Sequence, residues 1–325
     1  METTLKRRAL LGWLATAAAA PAARAQGWPA RRVRIVVPFP PGSAADAIPR
    51  RIALGLQHLL HTPCVVDNRP GAGGAIGADA VARAAPDGYT LLSHTSGITI
   101  QPHLAPAPFD PLRDLVPVTQ TIAGSYLLVA PPSFPARDLR EFVAAVRAAP
   151  GKYSYGSHGT GSGPHLAMEL LKVRAGLFAV HVPYRGAAPA LHDLLAGRLD
   201  FAFDTSFATL PHIRAGRLRA LAVGGPQPLE VLPGVAPVAA LYPGFDTDGW
   251  QGLFAPSGTP ADIVQRLAQA TAQALADPAL VQQVRELGFR VVGSSPAAFA
   301  EVVRSDFEKW GRIVRERGIV AEGRP

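Results

Sequence analysis

Short β-rich runs alternate with helical stretches from Val33 onward, and this alternation constrains the fold more than any other feature of the 325-residue chain. A first series predicts strands over residues 33–37, 64–67 and 89–93, separated by helices over residues 46–60 and 75–85. Parallel strands need a crossover segment between them, and that segment is usually a helix. The pattern therefore predicts an α/β protein whose sheets are largely parallel.

A second series of the same kind begins at Tyr126. Its predicted strands carry "YLLVAPP", "YSYGS", "FAVHVPY", "LDFAFD" and "LRALAVG", and its helices cover residues 139–149, 164–173, 189–197 and a short stretch before Gly216. A Gly/Pro-rich region over residues 224–244 leads to a returning strand, "GWQGLFAP". We expect two lobes joined by two crossings, with lobe 1 at residues 26–125 and 248–325 and lobe 2 at residues 126–247. A cleft between such lobes is a favoured ligand site.

The last part of the chain carries helix start and stop signals. Thr259 is the expected N-cap of one helix, with Pro260 at its first position. Ser295 and Pro296 begin the final helix in the same way, and Gly318 ends it.

The N-terminal segment has the features of a secretory signal peptide. The basic triplet "KRR" precedes an apolar run over residues 9–23, and Ala23 and Ala25 are the small residues that a signal peptidase reads. The run is shorter than the roughly twenty residues of a membrane-spanning helix, which argues against a membrane anchor. We expect cleavage after Ala25 and a periplasmic location, by the Sec route, although Arg7 and Arg8 also permit the twin-arginine route.

Charge, cysteine and histidine content exclude several classes of function. The chain has 32 Lys and Arg against 24 Asp and Glu, and these basic residues are scattered without interleaved aromatic residues. We therefore expect no nucleic-acid partner. The single cysteine, Cys64, excludes an internal disulfide, and the nine histidines form no metal-ligand spacing, so we expect neither a metal site nor a cofactor.

The segment "PFPPGSAAD", residues 38–46, joins the first strand to the first helix. Gly42 allows the backbone to approach a ligand closely. If Ser43 were the N-cap, Pro49 would lie past the first turn and delete a helical hydrogen bond, whereas no bond is lost with Asp46 as N-cap. We therefore predict that Asp46 caps the helix and that free N–H groups and the Ser43 hydroxyl attract an anion. The alternative is an ordinary capped turn that binds nothing.

A second glycine-rich turn, "YGSHGTGSGPH" at residues 155–165, follows a strand of the second series. Ser157, Thr160 and Ser162 offer neutral hydrogen-bond donors in this turn. The segment lacks both the Gly-Lys-Ser/Thr of a phosphate-binding loop and the Gly-x-Ser-x-Gly of a hydrolase nucleophile. Two helix starts on opposite lobes could grip the two ends of one polar ligand.

Three more residues have two open interpretations each. His165 is a ligand contact or a packed residue, and Arg185 in "VPYRG" pairs with a carboxylate or is a solvated surface residue. Asp204 receives a ligand ammonium or hydroxyl, or it caps the next helix. The segment "NRPGAGGAIGADA" fails the dinucleotide-binding spacing because Ile76 stands at the third glycine position. It predicts a tight turn that packs a helix closely against the sheet.

Six segments in order along the chain carry a family resemblance. They are "VRIVVPFPPGSAAD", "VVDNRPGAGGAIGADAVARAAPDGYTLL", "HVPYRGAAPALHDLLAGRLDFAFD", "LRALAV", "GLFAPSGTP" and "KWGRIVRERGI". With these segments the mature chain resembles the substrate-binding proteins of tripartite tricarboxylate transporters, the Bug-type periplasmic solute receptors. The resemblance implies a two-lobed Venus-flytrap fold of the type II periplasmic-binding class and no enzymatic activity.

The resemblance also implies a function and a set of ligand contacts. The function is capture of a small organic anion, such as a carboxylate, a dicarboxylate or an amino acid, and its delivery to two membrane permease subunits. We expect the receptor to be a monomer. The ligand contacts carried over by position are Phe39, Gly42, Ser43, Ala44, Asp46, Ser96, Gly97, Ser157, His158, Thr160, Ser162, His165, Tyr184, Arg185, Gly186 and Asp204.

Three departures from the family pattern leave the substrate open. A second glycine is usual where Ser43 stands, His158 replaces a small residue, and Gly163 stands where a hydroxyl residue is common. A ligand sensor that feeds a signalling partner is an alternative function. An exported α/β hydrolase is a weaker alternative, because no ordered nucleophile, acid and histidine motif supports it.

Overall fold

The computed structural model describes residues 27–42, 44–286 and 288–320. The described residues 27–30 belong to one unit of the chain, and the Trp28–Pro29 peptide bond in it is cis. Residues 31–325 form a second compact unit, which carries the strands and helices given below. The predicted signal peptide, its cleavage site and Ser43 lie outside the described residues.

Six strands form the first sheet. They are β1 (Val33–Val37), β2 (Cys64–Asn68), β3 (Thr90–Thr95), β4 (Leu115–Gly124), β10 (Gly249–Pro256) and β11 (Phe289–Val291), in the spatial order β11-β4-β10-β3-β1-β2. The helices of these parts of the chain are α1 (Ala44–Leu60), α2 (Ala75–Ala82), α3 (Gln101–Leu104), α8 (Ala261–Leu275), α9 (Pro278–Glu286) and α10 (Pro296–Glu316).

Five strands form the second sheet. They are β5 (Tyr126–Ala130), β6 (Ser154–Ser157), β7 (Val180–Pro183), β8 (Phe201–Thr205) and β9 (Arg219–Val223), in the order β7-β6-β8-β5-β9. Four helices belong to this part of the chain: α4 (Leu139–Ala148), α5 (Gly163–Ala175), α6 (Ala187–Leu195) and α7 (Ser206–Arg214). Every strand and helix predicted from the sequence is present, which confirms the α/β class and the two-sheet architecture.

Both sheets are mixed, and most strands in each point the same way, four of six in the first sheet and four of five in the second, which agrees with the expectation of largely parallel sheets. β1 is parallel to β2 and β3, and β6 is parallel to β7 and β8. In contrast, β10 is antiparallel to β3 and β4, and β5 is antiparallel to β8 and β9. The strands β4, β5 and β10 flank the points where the chain passes between the sheets. The antiparallel pairs that these strands form therefore need no crossover helix, whereas parallel neighbours do.

The longest strand, β4, escaped the sequence analysis, as did α3, α9 and β11. Its ten residues, "LVPVTQTIAG", contain three consecutive polar residues, Thr119, Gln120 and Thr121, which obscure the apolar alternation of a strand. All three are buried and bond to groups far away in the sequence. The Thr119 hydroxyl donates to the Ser294 carbonyl at 2.8 Å, and that of Thr121 donates to the Gln251 carbonyl at 2.9 Å.

Helix α1 begins at Ala44, so Asp46 is not its N-cap and the predicted helix start was wrong. Pro49 therefore lies inside the helix, where it cannot donate to the Ala45 carbonyl. The buried Gln251 side chain of β10 supplies that hydrogen bond instead, with Nε2 at 2.6 Å from the Ala45 oxygen. The predicted start assumed that Pro49 inside the helix would leave a carbonyl without its hydrogen bond. A residue about 200 positions away in the sequence supplies that bond.

Of the two helix starts predicted in the last part of the chain, the start of α10 is confirmed and that of α8 is corrected. Ser295 caps α10, since its hydroxyl oxygen accepts from the Ala298 N–H at 3.2 Å, and Gly318 follows the helix with φ of 58°. Thr259 does not cap α8, because Pro260 occupies that position. The Thr259 hydroxyl donates instead to the Pro256 carbonyl at 2.7 Å.

The close helix packing predicted for "NRPGAGGAIGADA" is confirmed at Gly77, which lies in α2. A Cβ at this position would lie 2.8 Å from the Pro38 Cβ and 3.0 Å from the Arg69 oxygen. Glycine therefore allows α2 to pack directly on the segment that leaves β1.

Helix α10 belongs to the hydrophobic cores of both sheets. In its first half, Phe299 and Val303 pack in one core cluster with Trp250 of β10. In its second half, Trp310 and Val314 pack, together with Ile313, in the cluster that contains the core residues of the second sheet. A single helix therefore connects the two cores.

The Pro49–Gln251 arrangement predicts a measurable coupling. We expect Gln251→Met to destabilise the protein by about 1–3 kcal/mol, because a carbonyl inside α1 loses the donor that replaces the missing N–H of residue 49. In a Pro49→Ala background residue 49 regains its N–H, and the same substitution should cost about 1 kcal/mol less. Urea unfolding of the four proteins measures the cycle, and equal costs in both backgrounds would contradict the compensating role of Gln251.

Candidate ligand site

The first predicted loop is held by Asp46, which lies inside the first turn of α1. The Asp46 carboxylate, 1% exposed, accepts from the Gly42 N–H at 2.9 Å, from Arg50 Nε at 2.7 Å and from Asn68 Nδ2 at 2.8 Å. Burial alone would raise the pKa of this carboxyl group, but the hydrogen bonds from Arg50, Asn68 and Gly42 outweigh burial and lower it. Asp46 thus fixes the shape of the loop and has no free acceptor role toward a cation.

Three further predicted residues of the first sheet lie around this loop. The Phe39 ring packs edge-on against the ring of His94, with centroids 5.3 Å apart, and its carbonyl accepts from Asn68. Ser96 and Gly97 follow β3 in a 3₁₀ turn, Ser96–Thr99. Because β1 and β3 are parallel neighbours, the segments that follow them leave the same edge of the sheet. Ala44 is the first residue of α1, and its side chain lies outside the described part of the structure.

The second predicted loop is held by histidines. The Ser157 hydroxyl lies 2.7 Å from His181 Nε2, and the Gly161 N–H donates to His165 Nδ1 at 2.9 Å. The His165 and His181 rings are stacked with centroids 3.9 Å apart. Of the two interpretations of His165, the structure favours packing, since the side chain is 5% exposed and supports the loop from behind. Thr160 lies half-buried in the same loop.

Ser162 stands at the N-cap of α5 without capping it. Its hydroxyl is buried and has no hydrogen-bond partner among the described residues, and its side chain does not accept from the first turn of the helix. A buried polar atom without a partner is rare in folded proteins. The N-terminus of α5 therefore presents an unused hydroxyl together with backbone N–H groups that have no intrahelical partner.

His158 and Asp204 meet where β6 and β8 run side by side. His158 Nε2 lies 3.0 Å from Asp204 Oδ1, which also accepts from the Thr205 N–H at 2.6 Å. The Asp204 side chain is 3% exposed and that of His158 is 19% exposed. Asp204 does not cap α7, because the Thr205 hydroxyl accepts from the Ala208 N–H in that role.

The residues after β7 join the same edge of the second sheet. Tyr184 donates its N–H to the Ser157 carbonyl at 3.1 Å and its hydroxyl to Asp193 Oδ2 at 2.8 Å. Burial and the bond to Asp193 raise the pKa of Tyr184. Arg185 is exposed and forms no ion pair with another described residue, and Gly186 has φ of 111° ahead of α6.

The structure thus gathers the predicted residues at two edges, one on each sheet. Gly161 of the second loop contacts Leu104, which follows the Ser96 turn, and a Cβ on this glycine would lie 2.1 Å from Leu104 Cδ1. Two further residues that the sequence analysis did not select contact these edges: Gln251 donates to the Ala45 carbonyl, and the Tyr126 hydroxyl lies beside Gly163. A Cβ on Gly163 would lie 2.1 Å from the Tyr126 hydroxyl, so this glycine admits the phenol to the start of α5.

The Tyr126 hydroxyl forms no hydrogen bond with another residue of the described segments. Burial raises the pKa of its phenol, and the negative charges of Asp204, Asp306 and Asp248 raise it further. Its phenol therefore remains protonated and available as a donor. The signal for this residue in the sequence was its position, as the first residue of the strand that follows the crossing between sheets.

A buried acid supports the second loop from the opposite side. Glu169 of α5, 4% exposed, accepts from Tyr155 at 2.6 Å, from Lys172 at 2.5 Å and from Arg317 at 2.7 Å. Burial opposes ionisation, but the bonds from Lys172 and Tyr155 prevail and lower the pKa of Glu169 to about 2. Burial and the neighbouring His181 lower the pKa of His165 to about 3, so this imidazole is neutral.

Within the described ranges, no three His, Cys, Asp or Glu side chains form a group that could hold a metal ion. In those same ranges, no helix combines the length and the apolar composition that crossing a membrane requires.

Comparison with known proteins identifies the family. The model of the tripartite tricarboxylate transporter family receptor matches residues 48–319. The chain belongs to this family. BugT of Bordetella pertussis is 36% identical over 94% of this chain and 95% of its own length. A protein of R. palustris solved with adipate is 33% identical, with a TM-score of 0.76 over 90% of this chain and 99% of its own. MatC of Rhodopseudomonas palustris, solved with bound malate, is 31% identical, with a TM-score of 0.71 over 88% of this chain and all of its own.

Membership of the tripartite tricarboxylate transporter receptor family confirms the resemblance drawn from the six segments. It also confirms the two-lobed type II periplasmic-binding fold. The family is one of periplasmic solute-binding receptors and is not a family of enzymes.

The neutral state of His165 predicts a pH dependence of stability. In the unfolded chain this histidine has its ordinary pKa of 6.5, whereas in the folded chain its pKa is about 3, so stability is lost as pH falls through this window. Between pH 7 and pH 5 the loss from His165 is about 2 kcal/mol. His165→Gln, which keeps an acceptor for Gly161, should show a correspondingly smaller loss in urea unfolding.

The matched control for this experiment is His192→Gln, since the His192 side chain is 73% exposed. It should retain the pH dependence of the original protein. An equal loss in the His165→Gln and original proteins would show that His165 is charged in the folded state.

Proposed function

We propose that the protein is a periplasmic receptor that captures a small organic anion in a cleft between two lobes and delivers it to the permease subunits of a tripartite tricarboxylate-type transporter. The proposed lobes are residues 26–125 with 248–325, and residues 126–247. In support of this division, all strands of the first sheet lie in residues 33–124 and 249–291, and all strands of the second lie in residues 126–223.

The observation that carries the proposal is the unused Ser162 hydroxyl at the N-terminus of α5. A helix N-terminus carries a partial positive charge and free N–H groups, which together bind an anion. A ligand carboxylate placed here would accept from Ser162 and from the start of α5. The neighbouring Tyr126 hydroxyl supplies another donor of the same kind.

The other predicted contacts fit a ligand held by neutral groups. The contacts proposed on the first sheet are Phe39, Gly42, Ser43, Ala44, Asp46, Ser96 and Gly97, and those on the second sheet are Ser157, His158, Thr160, Ser162, His165, Tyr184, Arg185, Gly186 and Asp204. In this set Asp46 and His165 act as positioning residues, because both are buried and hold loop backbone N–H groups. Arg185 is the member whose charge is free to approach a carboxylate.

The ligands of relatives support a carboxylate. The R. palustris relative was solved with adipate and MatC with malate, both of which are dicarboxylates. A carboxylate, a dicarboxylate or an amino acid would present the anion that the α5 N-terminus favours. Periplasmic export by the signal peptide, cleavage after Ala25, a monomeric state and the absence of enzymatic activity complete the proposal.

The proposed function predicts thermal stabilisation by organic acids. A ligand at a hundred times its dissociation constant should add about 2.7 kcal/mol to the free energy of unfolding, which raises the melting temperature. A thermal-shift screen of mono-, di- and tricarboxylates measures this effect, with neutral sugars as controls. Stabilisation by a sugar and by no carboxylate would refute the proposal.

The Ser162 hydroxyl predicts a loss of affinity without a loss of stability. Ser162→Ala removes one hydrogen bond to a charged group, about 1.5–3 kcal/mol, so the carboxylate found in the screen should bind roughly tenfold or more weakly. The stability of the free protein should change little, because the side chain caps nothing. Isothermal titration and urea unfolding measure the two effects.

Thr271→Val is the matched control for Ser162→Ala. Thr271 is fully buried in α8, and its hydroxyl also lacks a partner among the described residues. Its replacement should leave affinity unchanged. A Ser162→Ala protein that binds as tightly as the original would remove α5 from the proposed site.

A further inference from the structure

Asp204 is the acidic residue best placed to meet a ligand on the second sheet. It is the penultimate residue of β8, beside the Ser157 end of β6, and its side chain is 3% exposed. A carboxylate buried to this degree needs a partner, because an unpaired buried charge is strongly unfavourable. If the partner came from a ligand, an ammonium group would supply it.

His158 already forms a hydrogen bond with the Asp204 carboxylate. Its Nε2 lies 3.0 Å from Asp204 Oδ1, and the same oxygen accepts from the Thr205 N–H and, at 3.4 Å, from the Thr205 hydroxyl. The imidazole can supply a hydrogen bond in its neutral form and a compensating charge when protonated. A ligand ammonium would have to displace His158 to reach Asp204.

Two other aspartates act electrostatically on Tyr126, at the centre of the proposed site, and each of them also has a partner. Asp248 pairs with Arg290 at 2.6 Å and accepts from Ser125 at 2.5 Å. Asp306 pairs with Lys309 at 2.7 Å and accepts from Trp250 Nε1 at 2.6 Å.

Asp46, on the opposite loop, is paired with Arg50. Asp46, Asp204, Asp248 and Asp306 thus each already have a basic or imidazole partner within the protein.

We propose that His158 determines the ligand class of this receptor, by occupying Asp204 so that the site takes organic acids that carry no ammonium group. The inference rests on the proposed carboxylate-binding function and narrows it, since it removes amino acids from the ligand class. The hydroxyl groups of Ser162 and Tyr126 can still donate to carboxylate or hydroxyl oxygens of such an acid.

The test uses pairs of acids that differ by one ammonium group: succinate with L-aspartate, and adipate with L-2-aminoadipate. Isothermal titration of the full mature protein gives the ratio of dissociation constants, amino acid over plain acid, for each pair. We expect a ratio of at least ten in the pair whose chain length fits. Equal or tighter binding of the amino acid would overturn the inference while leaving carboxylate binding intact.

Variants distinguish the effect of His158 from a general preference of the site for ligands of higher net negative charge. His158→Ala leaves Asp204 without its partner, so the ratio should fall at least tenfold. In His158→Ala/Asp204→Asn the carboxylate is gone, and the ratio should return toward its original value. His158→Asn keeps a donor for Asp204 and serves as the conservative variant, with a ratio close to the original.

The outcomes distinguish the two proposals. A ratio that stays unchanged in His158→Ala, or a fall that persists in the double variant, would overturn the role of His158. Binding of no acid from either pair, and of no other carboxylate in the thermal screen, would overturn the proposed function together with this inference. If His158→Ala does not fold, the ratio in Asp204→Asn decides, because the inference requires that it remain high.

Discussion

The hydrogen bond between Ser125 and Asp248 ties together the two passages of the chain between its sheets. Ser125 lies between β4 and β5, Asp248 immediately precedes β10, and their side chains meet at 2.5 Å. Arg290 of β11 neutralises Asp248 from the first sheet. A Cβ on Gly225 would lie 2.1 Å from Asp248 Oδ1, so a glycine is required beside the bond. One hydrogen bond therefore joins the two segments by which the chain passes from one sheet to the other.

The charges near the proposed site follow one rule: each buried acid has a partner within the protein. Asp46, Glu169, Asp204 and Asp306 are all buried, and each accepts from a basic or imidazole side chain. Apart from the exposed Arg185, neutral dipoles from hydroxyl groups and helix N–H groups are what remains for a ligand. Such groups bind an anion without a permanent ion pair, and a receptor that must surrender its ligand benefits from that weaker attraction.

Local patterns predicted most of the fold, and long-range contacts account for what they missed. The strands and helices with regular periodicity, such as β1 and α10, were placed within a few residues. The strand β4 was missed because its consecutive polar residues are satisfied by Ser294 and Gln251, which no local pattern connects to it. The start of α1 was misplaced for the same reason, since Gln251, which donates to the Ala45 carbonyl in place of residue 49, belongs to β10.

The site shows the same division. Glycines, hydroxyl residues and helix starts marked both loops, because these residue types carry their conformational and hydrogen-bonding properties locally. The role of Asp204 could not be read in this way. Its partner, His158, is 46 positions away and reaches it only because β6 and β8 are neighbours. Tyr126 was missed because its importance comes from Gly163, which makes room for the phenol.

The position of α10 has a consequence for the order of folding. Its residues fill gaps in both hydrophobic cores, yet residues 296–316 are synthesised after every strand of both sheets. Until this helix docks, Phe299 is missing from one core and Trp310 from the other, so neither sheet can reach its final packing density. Maturation of the two halves is therefore a joint event, and a chain still emerging from the ribosome holds them both incomplete.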